Sequence, residues 1–246
     1  VKIAITGIAG TIGIAFTKLL HDKHELIGVD RNEQNVARLL KDFDIPVRLC
    51  DFDEFDFKNQ EIDLVIHLAA FKHIDLCQKH VTACVTNNVI KTQKLFENAH
   101  KHDVDILFMS TDKAVEPSSM YGYSKALAEG MALEYGGCFA RSGNVMDSNG
   151  SVLQIWDDAI EKLLPITITH KDMRRFFITP EHLAERIWEL YLSGVNVIIP
   201  EMDLDILLVD LAKEKLKAHG YTLEDYPGGI QYIGLRPGEK LVEKLQ

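Results

Sequence analysis

Apolar runs at residues 1–6, 25–29, 47–50, 63–68, 105–110 and 137–141 punctuate the first part of the chain. They alternate with stretches of helical spacing near 11–22, 32–42, 80–101 and 121–135. Short apolar runs that contain β-branched residues read as buried strands, and strict strand–helix alternation predicts an α/β, doubly wound parallel sheet. Right-handed crossovers then bring every strand C-terminus to one edge. From about residue 145 the alternation loosens. Helices at 151–163, 180–193 and 204–219 are interleaved with short runs at 166–169, 195–199 and 230–234, predicting a smaller C-terminal lobe over that edge. The expected division is 1–145 for the sheet domain and 146–246 for the interleaved lobe.

The polar positions that follow the strands carry the chemistry. After the first run comes Gly7-Ile8-Ala9-Gly10-Thr11-Ile12-Gly13, then a helix. This strand, glycine turn and helix order suits a dinucleotide: the first glycine allows the tight turn, the second admits backbone to the pyrophosphate, and the third lets helix pack on strand. The second run ends in Asp30, at the spacing of a carboxylate that grips the adenosine ribose. Asp30 favours NAD by repelling a 2′-phosphate, whereas Arg31 favours NADP by neutralising one, so NAD or NADP stays open. Asp51-Phe52 holds the adenine edge or belongs to a solvated acidic loop with Asp53, Glu54 and Asp56.

After the fifth run stands Ser110-Thr111-Asp112-Lys113-Ala114, and then Tyr121-Gly122-Tyr123-Ser124-Lys125. The i,i+4 spacing puts Tyr121 and Lys125 on one helix face, where an ammonium group and a bound nicotinamide's charge would lower the phenol's pKa enough for proton abstraction. An Asp-Lys pair at the end of the neighbouring strand adds an acid and a base.

Composition narrows the setting. The 27 Lys plus Arg against 37 Asp plus Glu give a net charge of −10, which argues against nonspecific binding to nucleic acid or anionic membrane. No run approaches the roughly twenty apolar residues of a membrane span, and no charged-then-apolar leader precedes the first strand, so a soluble, cytoplasmic protein is expected. The chain starts at Val1. The cysteines 50, 77, 84 and 138 form no C-x-x-C pair and read as buried thiols. No histidine pair sits beside suitable acids, and no metal is expected.

With these pieces assembled, the chain resembles the extended short-chain dehydrogenase/reductase superfamily and, more narrowly, the UDP-N-acetylglucosamine 4,6-dehydratases of polysaccharide biosynthesis. The likeness runs almost end to end. It rests on Gly7-x-x-Gly10-x-x-Gly13, His67-Leu-Ala-Ala-Phe-Lys-His73, Thr86-Asn-Asn88-Val, residues 110–114, Tyr121-x-x-x-Lys125, Arg141-Ser-Gly-Asn-Val145, Asn149-Gly-Ser-Val152, Met173-Arg-Arg-Phe-Phe-Ile-Thr179 and Arg236-Pro-Gly-Glu-Lys240. The resemblance implies a Rossmann-like sheet with a substrate-binding lobe and a tightly bound NAD or NADP recycled within each turnover. It implies a UDP-sugar substrate and a homo-oligomer.

By that resemblance Tyr121 takes the proton of the sugar's 4-hydroxyl, Lys125 holds the cofactor ribose and lowers the tyrosine's pKa, and Thr111 hydrogen-bonds the 4-oxygen. Lys113 removes the C5 proton and Asp112 protonates the leaving 6-hydroxyl. Lys113 must then be partly neutral, through burial or neighbouring cations. Cofactor contacts extend to Leu68, Ala69, Ala70 and Lys72, and substrate contacts to Lys72, His73, Asn144, Arg175, Arg236 and Glu239. Lys72 and His73 read equally as a helix-start loop, and Arg174-Arg175 as a solvated pair. Asn88 reads as a structural hydrogen-bonding residue. Tyr121, where membrane-bound relatives typically carry Met, resembles the soluble type, which often also inverts C5. The link from Glu134 to Phe139 is shorter than in the family, and the chain stops soon after Lys240 where relatives usually continue. Part of the sugar pocket or an oligomer contact is therefore expected to lie outside it.

Two other functions compete. A nucleotide-sugar 4-epimerase or reductase would use Tyr121 and Lys125 without elimination, and Asp112-Lys113 discriminates against it. A nonenzymatic dinucleotide-binding protein is opposed by the intact tyrosine–lysine pair.

Overall fold

The structure is a computed structural model that describes residues 1–146, 148, 151–202 and 204–245. Strands β1 (Lys2–Thr6), β2 (Glu25–Asp30), β3 (Val47–Leu49), β4 (Leu64–His67), β5 (Asp105–Thr111) and β6 (Cys138–Ser142) alternate with helices. These are α1 (Thr11–Leu20), α2 (Glu33–Leu39), α3 (Ile74–Lys79), α4 (Val81–Val85), α5 (Lys91–Lys101) and α6 (Met120–Glu134). Then follow β7 (Asn144–Val145), α7 (Val152–Glu161), β8 (Ile166–Ile168), β9 (Arg174–Ile178), α8 (Pro180–Leu192), β10 (Val197–Ile198), β11 (Leu204–Leu207), α9 (Leu208–Ala218) and β12 (Ile230–Tyr232).

The expected α/β Rossmann-like sheet is present: seven parallel strands in the order β10-β6-β5-β4-β1-β2-β3. Chain direction across the sheet reverses between β1 and β4, the switch point where such sheets open a crevice. One face packs Ile3, Ile5, Phe16 and Leu20 against Leu183 and Ile187 of α8, and the other packs Val65, Phe96, Phe108 and Ala128. Strand–helix alternation was legible because strands covered on both faces are apolar throughout.

Three expectations change. The run 195–199 was assigned to the lobe, yet β10 extends the main sheet beside β6, and α8 before it packs on the α1 side. Residues 180–198 therefore return to the sheet, and the two parts interleave. The expected helix 204–219 begins with a strand, β11, antiparallel to β9, because Leu204 to Leu207 pair with the Arg174–Phe177 backbone. The expected helix 80–101 is broken into α4, a π-helical turn at Thr86–Ile90 and α5, and α3 precedes it. π turns accommodate one extra residue and often mark functional positions. Here the turn carries the buried Asn87 and Asn88. Of the quoted Asn149-Gly-Ser-Val152 motif, Asn149 and Gly150 lie outside the described residues.

The lobe has a small core of its own, with Trp156, Ile166, Phe177, Leu208 and Leu216. After β12 the C-terminal segment 236–245 runs back as a strap over the end of β5. Ser118 Oγ donates to Gly238 O at 3.0 Å and Lys240 Nζ to Val115 O at 2.5 Å. No helix among the described residues is long and apolar enough to cross a membrane.

Candidate active site

A cavity of about 1130 Å³ opens along the strand C-termini and is roofed by the lobe. Its floor begins at the glycine turn. Gly7 sits at φ +70°, and its N–H donates to Val29 O at 2.8 Å. A Cβ added to Gly13 would lie 2.4 Å from Ile8 O and 2.5 Å from Gly7 O, so helix and strand meet only because that residue has no side chain. Gly7, Gly10, Thr11, Ile12 and Gly13 all line the cavity, with the α1 N-terminus aimed into it. This cradle fits a pyrophosphate.

At the end of β2, Asp30 accepts from Ala9 N (3.1 Å) and Asn32 N (2.9 Å), which fixes the carboxylate at the cavity rim. Arg31 lies 3.4 Å from Asp51 and stacks over the Phe71 ring at 5.2 Å. Asp51 also binds Lys91 at 2.6 Å. Burial would raise the Asp51 carboxyl, but the Lys91 and Arg31 cations more than offset it and hold the group below its usual range. Asp51 is thus no solvated loop residue. Phe52 is buried and packs at a tilt against His67.

The loop after β4 brings Leu68, Ala69, Ala70, Lys72 and His73 to the cavity. Thr6 Oγ1 accepts from Leu68 N, and Asn88 grips Phe71 at both ends, accepting from its N–H and donating to its C=O at 2.8 Å each. That confirms a structural role for Asn88. His67 is fully buried between Thr6 and Thr92. Burial first, and the Lys125 charge second, keep its imidazole neutral.

The opposite wall carries Thr111, Lys113, Tyr121 and Lys125. Gly122 explains how two elements meet here: a Cβ would lie 2.3 Å from Lys113 O, so only glycine lets α6 abut the Asp112–Ala114 turn. Thr111 Oγ1 donates to Asp112 Oδ1 at 2.9 Å, Lys113 Nζ donates to the same oxygen at 2.8 Å, and Thr111 stands close enough to the Tyr121 phenol to lower its pKa.

Several expected placements are corrected. Asp112 has no exposed surface and does not line the cavity; Thr111 and Lys113 stand between it and the open space. The groups around Lys113 Nζ are carboxyls, Asp112 at 2.8 Å and Glu243 at 3.9 Å, where burial or neighbouring cations were expected. The Tyr121 phenol lies above its ordinary value. Burial raises that phenol, Thr111 offsets part of the rise, and Asp112 and the thiols of Cys77 and Cys84 add to it. Lys125 turns away to donate to Met109 O at 2.5 Å, over the Phe108 ring at 4.1 Å. Burial lowers its ammonium to about 7, with Glu129 opposing.

Arg175, expected to contact the substrate or to form a solvated pair with Arg174, is buried and committed to the strap. Nη1 donates to Arg174 O and Leu241 O, Nη2 donates to Lys240 O, and Glu239 and Glu243 lie within 4 Å. Arg236 is half-exposed and pairs with Asp75 at 2.9 Å. Asn144, Arg175, Arg236 and Glu239 all line the cavity, on its lobe side.

Two features escaped the sequence. Glu129, one helical turn past Lys125, is buried under a bidentate Arg141 fork and accepts from Ser110 Oγ. The i,i+4 spacing with Lys125 was the available signal. Glu243, 3% exposed, had none, because its partners lie 68 and 130 positions away.

The family described as polysaccharide biosynthesis protein matches residues 3–246. An uncharacterized membrane protein of Methanocaldococcus jannaschii is 34% identical, over 99% of this chain and 79% of its own length. The probable polysaccharide biosynthesis protein EpsC of Bacillus subtilis is 30% identical over 99% of this chain, which spans only 44% of EpsC. The inverting UDP-N-acetylglucosamine 4,6-dehydratase of Campylobacter jejuni is 26% identical, and a UDP-glucose 4-epimerase of Rickettsia massiliae 27%. Each match covers 98% of this chain and 76% of the relative. Among solved structures, Pen from Bacillus thuringiensis has a TM-score of 0.88 at 29% identity, covering 99% of this chain and 82% of Pen. The dTDP-glucose 4,6-dehydratase DesIV of Streptomyces venezuelae, solved with NAD and TYD, has a TM-score of 0.88 at 19% identity over 98% of this chain and 87% of its own, a likeness of fold.

Proposed function

Because this chain belongs to the polysaccharide biosynthesis protein family of extended short-chain dehydrogenases/reductases, we propose that it is a lyase, a 4,6-dehydratase of UDP-N-acetylglucosamine or a close relative. The observation that carries the reading is the mutually hydrogen-bonded Thr111–Asp112–Lys113 cluster, with Thr111 and Lys113 lining the same cavity as Tyr121. Oxidation at C4 needs one base; removing water across C5 and C6 needs a further acid and base.

A nicotinamide cofactor, when bound, accepts hydride from the sugar's C4 and returns it at C6. The glycine cradle, Asp30 and the loop 68–72 would hold it. NAD is favoured over NADP, since Asp30 would repel a 2′-phosphate while Arg31 is already engaged by Asp51 and Phe71.

Tyr121 takes the 4-hydroxyl proton. Lys113, which faces the cavity, takes the C5 proton. Asp112 supplies a proton to the leaving 6-hydroxyl through the Thr111 hydroxyl, because Asp112 itself has no access to the sugar. After hydride returns to C6, C5 takes a proton from solvent on the face opposite Lys113, and Tyr121 releases the proton it gained to solvent, so the side chains recover their starting state. Lys72, His73, Asn144, Arg236 and Glu239 bound the sugar-nucleotide side. A cytoplasmic homo-oligomer and C5 inversion complete the reading.

The epimerase alternative rests on the Rickettsia massiliae relative, equally covered by this chain. Proton NMR of the purified protein with the cofactor and UDP-N-acetylglucosamine in deuterated water separates the two. A new methyl signal at C6 with deuterium at C5 is the expected result, and its coupling reports C5 stereochemistry. Exchange of the C4 configuration with no methyl signal would replace dehydration by epimerisation.

A further inference from the structure

The strap places a second carboxyl against the reacting pair. Glu243 is 3% exposed; its Oε1 lies 3.9 Å from Lys113 Nζ and 3.9 Å from Arg175 Nη2. Its Oε2 is buried with no hydrogen-bond partner among the described residues, and Asp112 Oδ2 is orphaned in the same way. Buried carboxylates with unmatched oxygens are costly, and two near one another do not both ionise readily. The groups facing Glu243 are Asp112 and Lys113 from the turn after β5, Arg175 from β9 and Lys240 from the strap itself. Burial raises the Glu243 carboxyl and Asp112 adds to the rise, against Lys113, Arg175 and Lys240.

We propose that Glu243 is a positioning residue that keeps its proton in the resting protein and so frees the Lys113 proton to cross to Asp112. This rests on the dehydratase reading for its use, though not for its test. With Glu243 ionised, Lys113 lies between two anions and both hold it as ammonium. With Glu243 neutral, one anion faces the lysine, and moving one proton across the 2.8 Å contact yields a neutral amine and a neutral acid together. Those are the forms elimination requires. The C5–H proton then passes to the Lys113 nitrogen and the C6–O bond breaks. The departing hydroxyl leaves as water with the Asp112 proton, and the ammonium–carboxylate pair is restored. Glu243 neither gains nor loses a proton.

The strap is held by groups other than Glu243, which makes the charge state separable from the fold. Arg175 clamps Lys240 and Leu241 by their carbonyls, and Lys244 pairs with Glu116 outside.

The test is infrared spectroscopy of the intact protein in deuterated buffer at neutral pH. A protonated-carboxyl stretch is expected in the wild type, absent from Glu243→Gln and retained in Glu239→Gln, with circular dichroism verifying that each is folded. No such band in the wild type, or its survival in Glu243→Gln, overturns the proposal. A kinetic readout follows the methyl signal against pH. Wild-type elimination falls on the alkaline side as Glu243 ionises, and Glu243→Gln moves that fall upward, a gain of about tenfold per unit moved. Coincident alkaline limbs would also overturn it. A wild type that shows the band yet forms no methyl product refutes the dehydratase reading while the charge assignment stands.

Discussion

Two buried cations face this cavity, and the protein treats them in opposite ways. Lys125, on the sheet side, has no carboxylate in direct contact among the described residues: its ammonium meets one carbonyl and an aromatic ring, and burial brings it to about 7. Arg175, on the lobe side, is surrounded by three carbonyl oxygens and the carboxyl groups of Glu239 and Glu243. A lysine left short of partners can change protonation state within the working pH range. An arginine saturated with acceptors cannot, and serves to hold other elements in place. The sheet side therefore keeps a cation available for chemistry, and the lobe side spends one on architecture.

The comparison breaks first at Arg175. Arg175→Ala strands buried carbonyls and the Glu243 carboxyl, and is expected to cost about 3–5 kcal/mol in urea unfolding. The strap 236–245 should become protease-sensitive. A loss below 1 kcal/mol would mean the strap is held elsewhere.

Lys125 gives a smaller effect with a defined sign. Its folded pKa of about 7 lies below the ordinary 10.5. Between those values the unfolded chain holds a proton that the folded chain has released, so stability rises with pH across that window. The slope reaches at most about 1.4 kcal/mol per unit. Urea midpoints measured at intervals from pH 7 to 10 should climb in the wild type, and Lys125→Met should remove that component. An identical slope in both would show that Lys125 stays charged when folded.

The smallest effect is expected at the rim. Lys244 and Glu116 form an exposed pair at 2.8 Å, and such pairs contribute little. Lys244→Ala should leave the urea midpoint where it was. A displacement as large as that of Arg175→Ala would move the strap's anchor to the surface.

Residue placement divides along the same line. Gly7 to Gly13, Asp30, Thr111 and Tyr121 were legible because each follows a strand or shares a helical turn with its partner, so short-range geometry determines where they go. Gly122 was visible only as part of a motif; its reason, contact with the Lys113 carbonyl, needed the packed helix. Arg175 looked like a substrate ligand because a sequence displays a charge without its neighbours. Asp112 looked like a group touching the sugar because its burial behind Thr111 depends on how α6 and the strap close over the turn.

The sequence by itself determined the alternation of strand and helix, the sheet's chemical edge and the residues on it, since apolar period, turn chemistry and helical spacing act over a few positions. Only the tertiary structure decided that β10 belongs to the main sheet, that Lys125 turns toward Met109, and that Glu243 meets Lys113 across 130 positions. Burial and charge pairing arise from contacts between distant segments, and no local pattern records which carboxylate will be shut away beside which amine.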